Sequence, residues 1–253
     1  KIRNVGFTIE TKPDYCKQKH IDAMLDYGIT RIEIGVQSLQ ERVYKIVNRG
    51  HDYNDVIESF QISKDAGYKI VAHMMPGLPT MTPEGDISDF KKLFDDSQLR
   101  PDMLKIYPSL VIENTPLYEE YKRGEYTPYS DQDMIRVLTE VKRNVPKWVR
   151  IMRIQREISP KEIIAGPKSG NLRQIVHQNL SKEGISCKCI RCREAGLSNK
   201  KTDDQNLKLN RIDYESSGGN EVFLSYEDTN DSIYGFLRLR KPSILAHRRE
   251  VGN

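Results

Sequence analysis

One alternation constrains this chain more than any other feature. From the amino terminus to about Arg156, short runs rich in Ile, Val, Tyr and Met (residues 7–11, 31–36, 69–75, 103–110 and 149–154) alternate with segments of helical character (17–27, 40–47, 53–66, 83–94 and 130–145). The apolar runs are only loosely two-periodic, as expected of strands covered on both faces. Strand and helix in repeated succession mark parallel βαβ units, so the fold class is α/β, either a barrel or a doubly wound sheet. The punctuation agrees. Gly28 and Gly67 stand where helices close, and Ser130 with Asp133 three residues on reads as an N-cap.

The character of the chain changes after Glu157. Pro160, Gly166, Pro167 and Gly170 interrupt regular structure, one helix is expected over 172–182, and a cysteine-rich loop follows. A polar, lysine-rich loop over 197–206 leads to three alternating segments, 207–214, 221–226 and 233–240. Turn residues at Gly218-Gly219 and over 228–231 make these an antiparallel meander. A meander cannot cover both of its faces, so it should pack on the first unit or continue into further sequence. The expected division is 1–158, 159–205 and 206–253.

Composition excludes several classes. With 37% hydrophobic and 30% charged residues, the chain is too apolar and too patterned to be disordered. No apolar run approaches the roughly 20 residues that cross a bilayer, and the first residues form neither a signal nor a transit peptide. A cytoplasmic protein without membrane contact is expected. The net charge of +4 hides an asymmetry: residues 142–201 hold 15 Lys or Arg against 4 Asp or Glu. A basic block in an otherwise acidic chain points to a polyanion, usually nucleic acid, and the plain alternative is a solvated basic face. Tyr107, Tyr118, Tyr121, Tyr126 and Tyr129 lie among Lys105, Lys122 and Arg123, a mixture suited to RNA stacking and phosphate contact, although amphipathic packing explains tyrosines equally well.

Four cysteines are too few for a disulfide scaffold. Cys187, Cys189 and Cys192 form C-x-C-x2-C, and Cys16 stands alone after the first strand. Three thiols within six residues can converge on one cation, and Cys16 would complete the tetrahedral thiolate shell that structural zinc prefers. Lys188, Arg191 and Arg193 beside them would lower the thiol pKa values and offset the charge. Ordinary reduced cysteines are the alternative, and an iron–sulfur cluster fits less well because the spacing matches no common ferredoxin pattern. Glu10, Gln37 and His73 each stand at the end of a strand, where parallel sheets bind ligands. Singly each has a structural explanation: a core histidine, a loop-tying amide. Together they repeat a polar residue at three successive strand ends. No Walker loop, G-x-G-x-x-G or nucleophile with a matched base is visible.

The runs Thr8-Ile9-Glu10-Thr11-Lys12-Pro13-Asp14-Tyr15-Cys16, Glu33-Ile34-Gly35-Val36-Gln37-Ser38, Asn48-Arg49-Gly50-His51 and Ala72-His73-Met74-Met75-Pro76-Gly77-Leu78-Pro79 closely resemble the catalytic subunit of Elongator. Leu104-Lys105-Ile106-Tyr107-Pro108, Arg153-Ile154-Gln155-Arg156-Glu157-Ile158, Gly170-Asn171-Leu172-Arg173 and Phe223-Leu224-Ser225-Tyr226-Glu227-Asp228 continue the resemblance in order, as does Leu237-Arg238-Leu239-Arg240-Lys241. It implies a partial radical S-adenosylmethionine barrel, TIM-like, then a zinc-binding linker and the start of an acetyltransferase-like domain. The activity implied is modification of carbon 5 of the tRNA wobble uridine, with acetyl-CoA, S-adenosylmethionine and a 4Fe-4S cluster. Glu10, Gln37 and His73 then fall at the S-adenosylmethionine site, and the thiol loop resembles the family's zinc motif. The partners implied are the tRNA anticodon stem-loop and Elongator-type subunits or a second copy.

Two departures stand out. No C-x3-C-x2-C loop for the cluster is present, and the sequence stops before an acetyl-CoA pyrophosphate loop. The expectation is a central fragment, inactive alone in both half reactions. A catalytically empty tRNA-binding scaffold of the same ancestry competes with this reading. So does another radical enzyme, such as an oxygen-independent porphyrinogen oxidase, against which the basic block, thiol loop and meander argue. Phosphate contacts are expected from Arg150, Arg153, Arg156, Lys161, Lys168, Arg173, Lys188, Arg191 and Arg193, and base recognition near Gln37, His73 and Tyr107.

Overall fold

The computed structural model describes residues 4–155, 157–197 and 203–251. Five strands, β1 (Thr8–Thr11), β2 (Arg31–Gln37), β3 (Lys69–Met74), β4 (Met103–Ile106) and β6 (Arg150–Ile154), form one wholly parallel sheet. Its spatial order is β1-β2-β3-β4-β6, which follows the chain without reversal. Doubly wound sheets reverse their order at a switch point, and this one does not, so the sheet is an arc of a barrel. β4 ends at Ile106 rather than at 110 because Pro108 has no N–H to give a ladder. A short β5 (Val111–Ile112) instead pairs antiparallel with β7 (Ile163–Ala165).

The helices are α1 (Gln18–Asp26), α2 (Glu41–Ile46), α3 (Tyr53–Asp65), α4 (Pro83–Asp95), α5 (Pro116–Lys122), α6 (Asp131–Asn144), α7 (Leu172–Lys182) and α8 (Ile190–Arg193). Asp52, Thr82 and Ser130 cap α3, α4 and α6 by accepting from the backbone N–H three residues on. Helix α5 was not expected, although Thr115 and Pro116 give it a cap and a first turn. One face of the sheet, with Ile32, Ile34, Ile70, Ala72, Leu104, Ile106 and Ile151, packs against Phe60, Phe90, Leu93, Val137 and Leu138 of the helices. Leu172, Val176 and Leu180 of α7 join the same core. Side chains alternate along a strand, so the opposite face carries Glu10, Glu33, His73 and Lys105. Register sets Glu10 beside Glu33 and His73 beside Lys105.

The expected meander is present as β8 (Lys208–Ser216), β9 (Gly219–Glu227) and β10 (Ile233–Lys241), all antiparallel. Its first turn sits at Ser217-Gly218, with φ of 48° and 74°, the two left-handed residues of a tight hairpin. The sheet docks on the amino-terminal end of the barrel strands. Arg238 donates to Asp102 at 3.1 Å, and Arg240 donates to Asp65 at 3.0 Å. Trp148 stacks on Tyr214 at 4.2 Å between ring centres, beside Ile190, Phe223 and Ile233. Among the described residues no helix is long and apolar enough to cross a membrane.

Candidate cofactor site and thiol centre

The carboxyl ends of β1, β2 and β3 gather the three residues singled out there by sequence. His73 lies between two carboxylates: Nδ1 is 3.1 Å from Glu10 and Nε2 is 2.7 Å from Glu33. Lys105 donates to the same Glu33 carboxylate. Burial raises the Glu33 pKa, but hydrogen bonds from His73 and Lys105 outweigh it and hold the carboxyl at about 2. Tyr107 meets the His73 ring edge-on at 5.3 Å. Gln37 closes β2 with φ 70°, a left-handed conformation that costs a non-glycine residue on the order of 1 kcal/mol. The Gln37 carbonyl accepts from Met75 N at 2.8 Å, tying the ends of β2 and β3. Its side-chain Oε1 is buried without a hydrogen-bond partner. Gly35 lies beneath it, and a Cβ there would lie 3.0 Å from both Gln37 Nε2 and the Arg49 guanidinium, so a larger residue would push these two side chains aside. Glu33 and Lys105 escaped the sequence reading. Their signal was a charge inside strands otherwise apolar.

The second centre joins α6, α7 and α8. The sulfurs of Cys187, Cys189 and Cys192 lie within 4.8 Å of one another, close enough to share an ion. Hydrogen bonds from Cys187 and Cys192 favour a thiolate on Cys189, which in turn pushes the Cys187 thiol up. Cys16 is not among them. It is wholly buried behind the 3-10 turn Pro13–Tyr15 and bonds Ser63 of α3, and burial pushes its thiol up to about 12. The expected fourth ligand is therefore corrected. The groups that reach the centre are Lys142 Nζ, 3.3 Å from Cys192, and His177 Nε2, 3.4 Å from Cys192. Burial, with Lys142 and Arg173 nearby, lowers His177 to about 4, which keeps the imidazole neutral. The compensating cations are Lys142 and Arg173 rather than Lys188 and Arg193.

Comparison with known proteins places this geometry. The model of the Radical SAM superfamily matches residues 1–93, and that of the Radical_SAM C-terminal domain matches residues 101–182. The chain belongs to the radical SAM superfamily. Within it, the resemblance read from the motifs is borne out over nearly the whole chain. It is 48% identical over 247 residues to the tRNA uridine(34) acetyltransferase of Methanocaldococcus infernus, covering 96% of this chain and 46% of that protein. It is 45% identical over 251 residues to human Elongator complex protein 3, covering 98% and 46%. The solved structure of M. infernus Elp3 with an N-terminal deletion superposes with a TM-score of 0.94 at 46% identity, covering 98% of this chain and 59% of that one. The chain thus spans about half the length of the curated relatives it matches.

Radical SAM membership implies S-adenosylmethionine and a 4Fe-4S cluster. The rim fits the first: an acceptor without a partner on Gln37 and the exposed carboxylate of Glu10 are groups a charged, hydroxyl-bearing ligand needs. The cysteines of this sequence do not fit the second. Cys16 is sealed in the core, and the other three belong to the separate centre.

The basic block is partly spent on internal partners. Arg193 is only 2% exposed and pairs with Glu227 and with Asp231 at 3.0 Å, so it is corrected as a phosphate contact. Arg173 is half-buried and donates to the Ile151 carbonyl at 3.2 Å, beneath the thiols. Arg150 pairs with Glu194 at 2.8 Å and Lys188 with Asp231 at 3.0 Å. Lys161 and Lys168 are exposed, Arg153 is exposed with Glu157 at 3.5 Å, and Arg191 is half-buried. Arg156 lies outside the described residues.

Proposed function

We propose that this chain serves a tRNA wobble-uridine acetyltransferase of the Elongator kind, with S-adenosylmethionine held at the barrel rim by Glu10, Gln37 and His73. The observation that supports this is the pairing of Glu10 with His73 at the strand ends, with a strained Gln37 closing the strand between them and carrying an acceptor without a partner. Strain of this sort persists where function needs it. Bound there, S-adenosylmethionine is a source of radical chemistry, and acetyl-CoA is the acetyl donor for carbon 5 of the uridine. The residues of this chain bind and orient: Glu10 accepts, Gln37 accepts and donates, and Glu33 with Lys105 fixes His73. No step is assigned to an iron–sulfur cluster, for which this chain has no ligands in place.

The thiol centre is read as a zinc site of Cys187, Cys189 and Cys192, with His177 as the fourth ligand in place of Cys16. Three thiolates and one divalent cation leave a charge of −1, which Lys142 beside them balances. The division into a barrel unit at 1–158, a linker at 159–205 and an acetyltransferase-like start at 206–253 goes with this reading. So do a cytoplasmic location and Elongator-type partner subunits. tRNA phosphates are read by Arg153, Lys161, Lys168, Lys188 and Arg191, with an unstacked base near Gln37, His73 and Tyr107. The test is a pair of titrations. S-adenosylhomocysteine should bind and lose affinity in His73→Ala. tRNA should bind with affinity falling steeply in salt, and more weakly when Arg153, Lys161 and Lys168 are all changed to Glu. Binding of tRNA without S-adenosylhomocysteine would instead favour the empty scaffold, and unchanged tRNA affinity in the triple variant would make the basic block a solvated face.

A further inference from the structure

Two buried carboxylates on α4 have no place in the site as described so far. Asp86 and Asp89 are three residues apart, hence on one face of the helix, and only 2% and 1% exposed. Neither faces another helix to pair with it. Asp89 reaches the loop that follows β2: one oxygen accepts from Ser38 Oγ at 2.8 Å and from Leu39 N at 2.8 Å, and the other accepts from the Gln40 side-chain amide. Asp86 reaches the loop that follows β3, accepting from Gly77 N at 2.8 Å and from Tyr129 OH at 2.7 Å. Tyr126 OH donates to the Gly77 carbonyl at 2.7 Å from the other side. Gly77 has φ 84°, and a Cβ there would meet the Tyr129 ring at 3.2 Å, so the loop is pressed against its clamp.

Ser38 is the residue directly after Gln37, and the loop that holds Gly77 begins two residues past His73. We infer that α4 is the positioning element of the cofactor site: Asp89 holds Gln37 in its left-handed conformation through Ser38, Leu39 and Gln40, and Asp86 holds the neighbouring loop through Gly77. This rests on the reading of the rim as an S-adenosylmethionine site. Three donors from three successive residues converge on Asp89, and only an anion with two accepting oxygens satisfies all three. The turn at Gln37 is closed by Ser38 N donating to the Val36 carbonyl at 3.0 Å and by Met75 N donating to the Gln37 carbonyl at 2.8 Å. Asp89 fixes the residues that follow this turn, and through them adds to what holds Gln37 in its left-handed conformation. Neither aspartate touches the ligand position. They act through the loops.

The test uses the full chain and S-adenosylhomocysteine as the probe. Asp89→Ala removes both accepting oxygens, so all three loop donors lose their partner. Its S-adenosylhomocysteine affinity should fall about tenfold, and amide exchange over residues 37–41 should speed up about tenfold at a temperature where the protein is fully folded. Asp95→Asn, on the exposed face of α4, removes the same charge and should change neither. A folded Asp89→Ala with native affinity and native exchange overturns the inference, because a merely structural carboxylate would lower stability alone. If that variant does not fold, Ser38→Ala and Gln40→Leu each remove one donor and should weaken binding about threefold. Native affinity in both overturns it equally. Should the native chain not bind S-adenosylhomocysteine, the cofactor reading falls, and exchange over 37–41 alone decides whether Asp89 holds the loop.

Discussion

A glutamine at φ 70° and a buried aspartate are the two residues that most resist a purely structural account. Glycine adopts the left-handed region without cost. Gln37→Gly should therefore leave stability unchanged or raise it by up to ~1 kcal/mol, while weakening S-adenosylhomocysteine binding, read by urea unfolding and calorimetric titration on the same preparation. Lost stability with intact binding would make Gln37 a loop tie. Asp86 gives a pH signature. Burial pushes its pKa from 3.8 up to about 7, against the hydrogen bonds from Tyr129 and Gly77. The folded protein then holds a proton between pH 4 and 7 that the unfolded chain releases, so the contribution of this group to stability is full below about pH 4 and is lost as pH rises through 7. The loss is on the order of 4 kcal/mol. Asp86→Asn mimics the neutral acid, so its unfolding free energy minus the native value should rise as pH goes from 5 to 8, a difference in which the opposing effect of His177 cancels. Glu33 does not interfere, because its depressed pKa confines its effect to pH below about 4. The positions of Glu10, Gln37 and His73 at strand ends were legible in the sequence because the alternation of strands and helices fixes where each strand stops. Asp86 and Asp89 were not, since a helical aspartate reads as solvated until the loop it meets is known.

At the scale of elements, α7 was legible to the residue and the thiol loop was legible as a centre, because both depend on spacing along the chain. Cys16 was misplaced because its assignment rested on counting cysteines, and counting carries no distance. The groups that do reach the thiols, Lys142 and His177, come from α6 and α7, 45 and 10 residues before Cys187, and only their packing shows it. One zinc per chain is the expected metal content by elemental analysis. Cys16→Ser should retain it and Cys189→Ser should lose it. His177→Ala should weaken it, and a chelator should speed amide exchange in α8 and the carboxyl-terminal turn of α7 while leaving β1–β4 protected. Equal metal loss in Cys16→Ser would restore the first assignment.

The whole molecule depends on a junction that no local pattern announces. Alternation gave the strands, yet a barrel arc and a doubly wound sheet share it, and only the unreversed order of β1-β2-β3-β4-β6 decides between them. The meander was expected to need a partner, and the partner is the amino-terminal end of the barrel, opposite the candidate cofactor site. Six charged side chains meet there: Lys64, Asp65 and Asp102 from the barrel, Glu221, Arg238 and Arg240 from the meander, all 6% exposed or less. Arg240 bridges Asp65 and Glu221 and also donates to the Ser216 carbonyl at 2.8 Å. Burying charges is costly, and breaking one such pair leaves its partner unpaired, typically at a cost of 3–5 kcal/mol. Asp65→Asn and Arg240→Met should each destabilise by about 3 kcal/mol in chemical unfolding. The double variant should lose about 2 kcal/mol less than the sum of the two, because each single change already forfeits the shared contact. S-adenosylhomocysteine affinity should stay native in Asp65→Asn, since the rim lies at the other end of the strands. Additive losses would mean that Ser243 and Gln61 hold Asp65 without Arg240. A fall in affinity would mean that the two ends of the barrel communicate through β3 and β4.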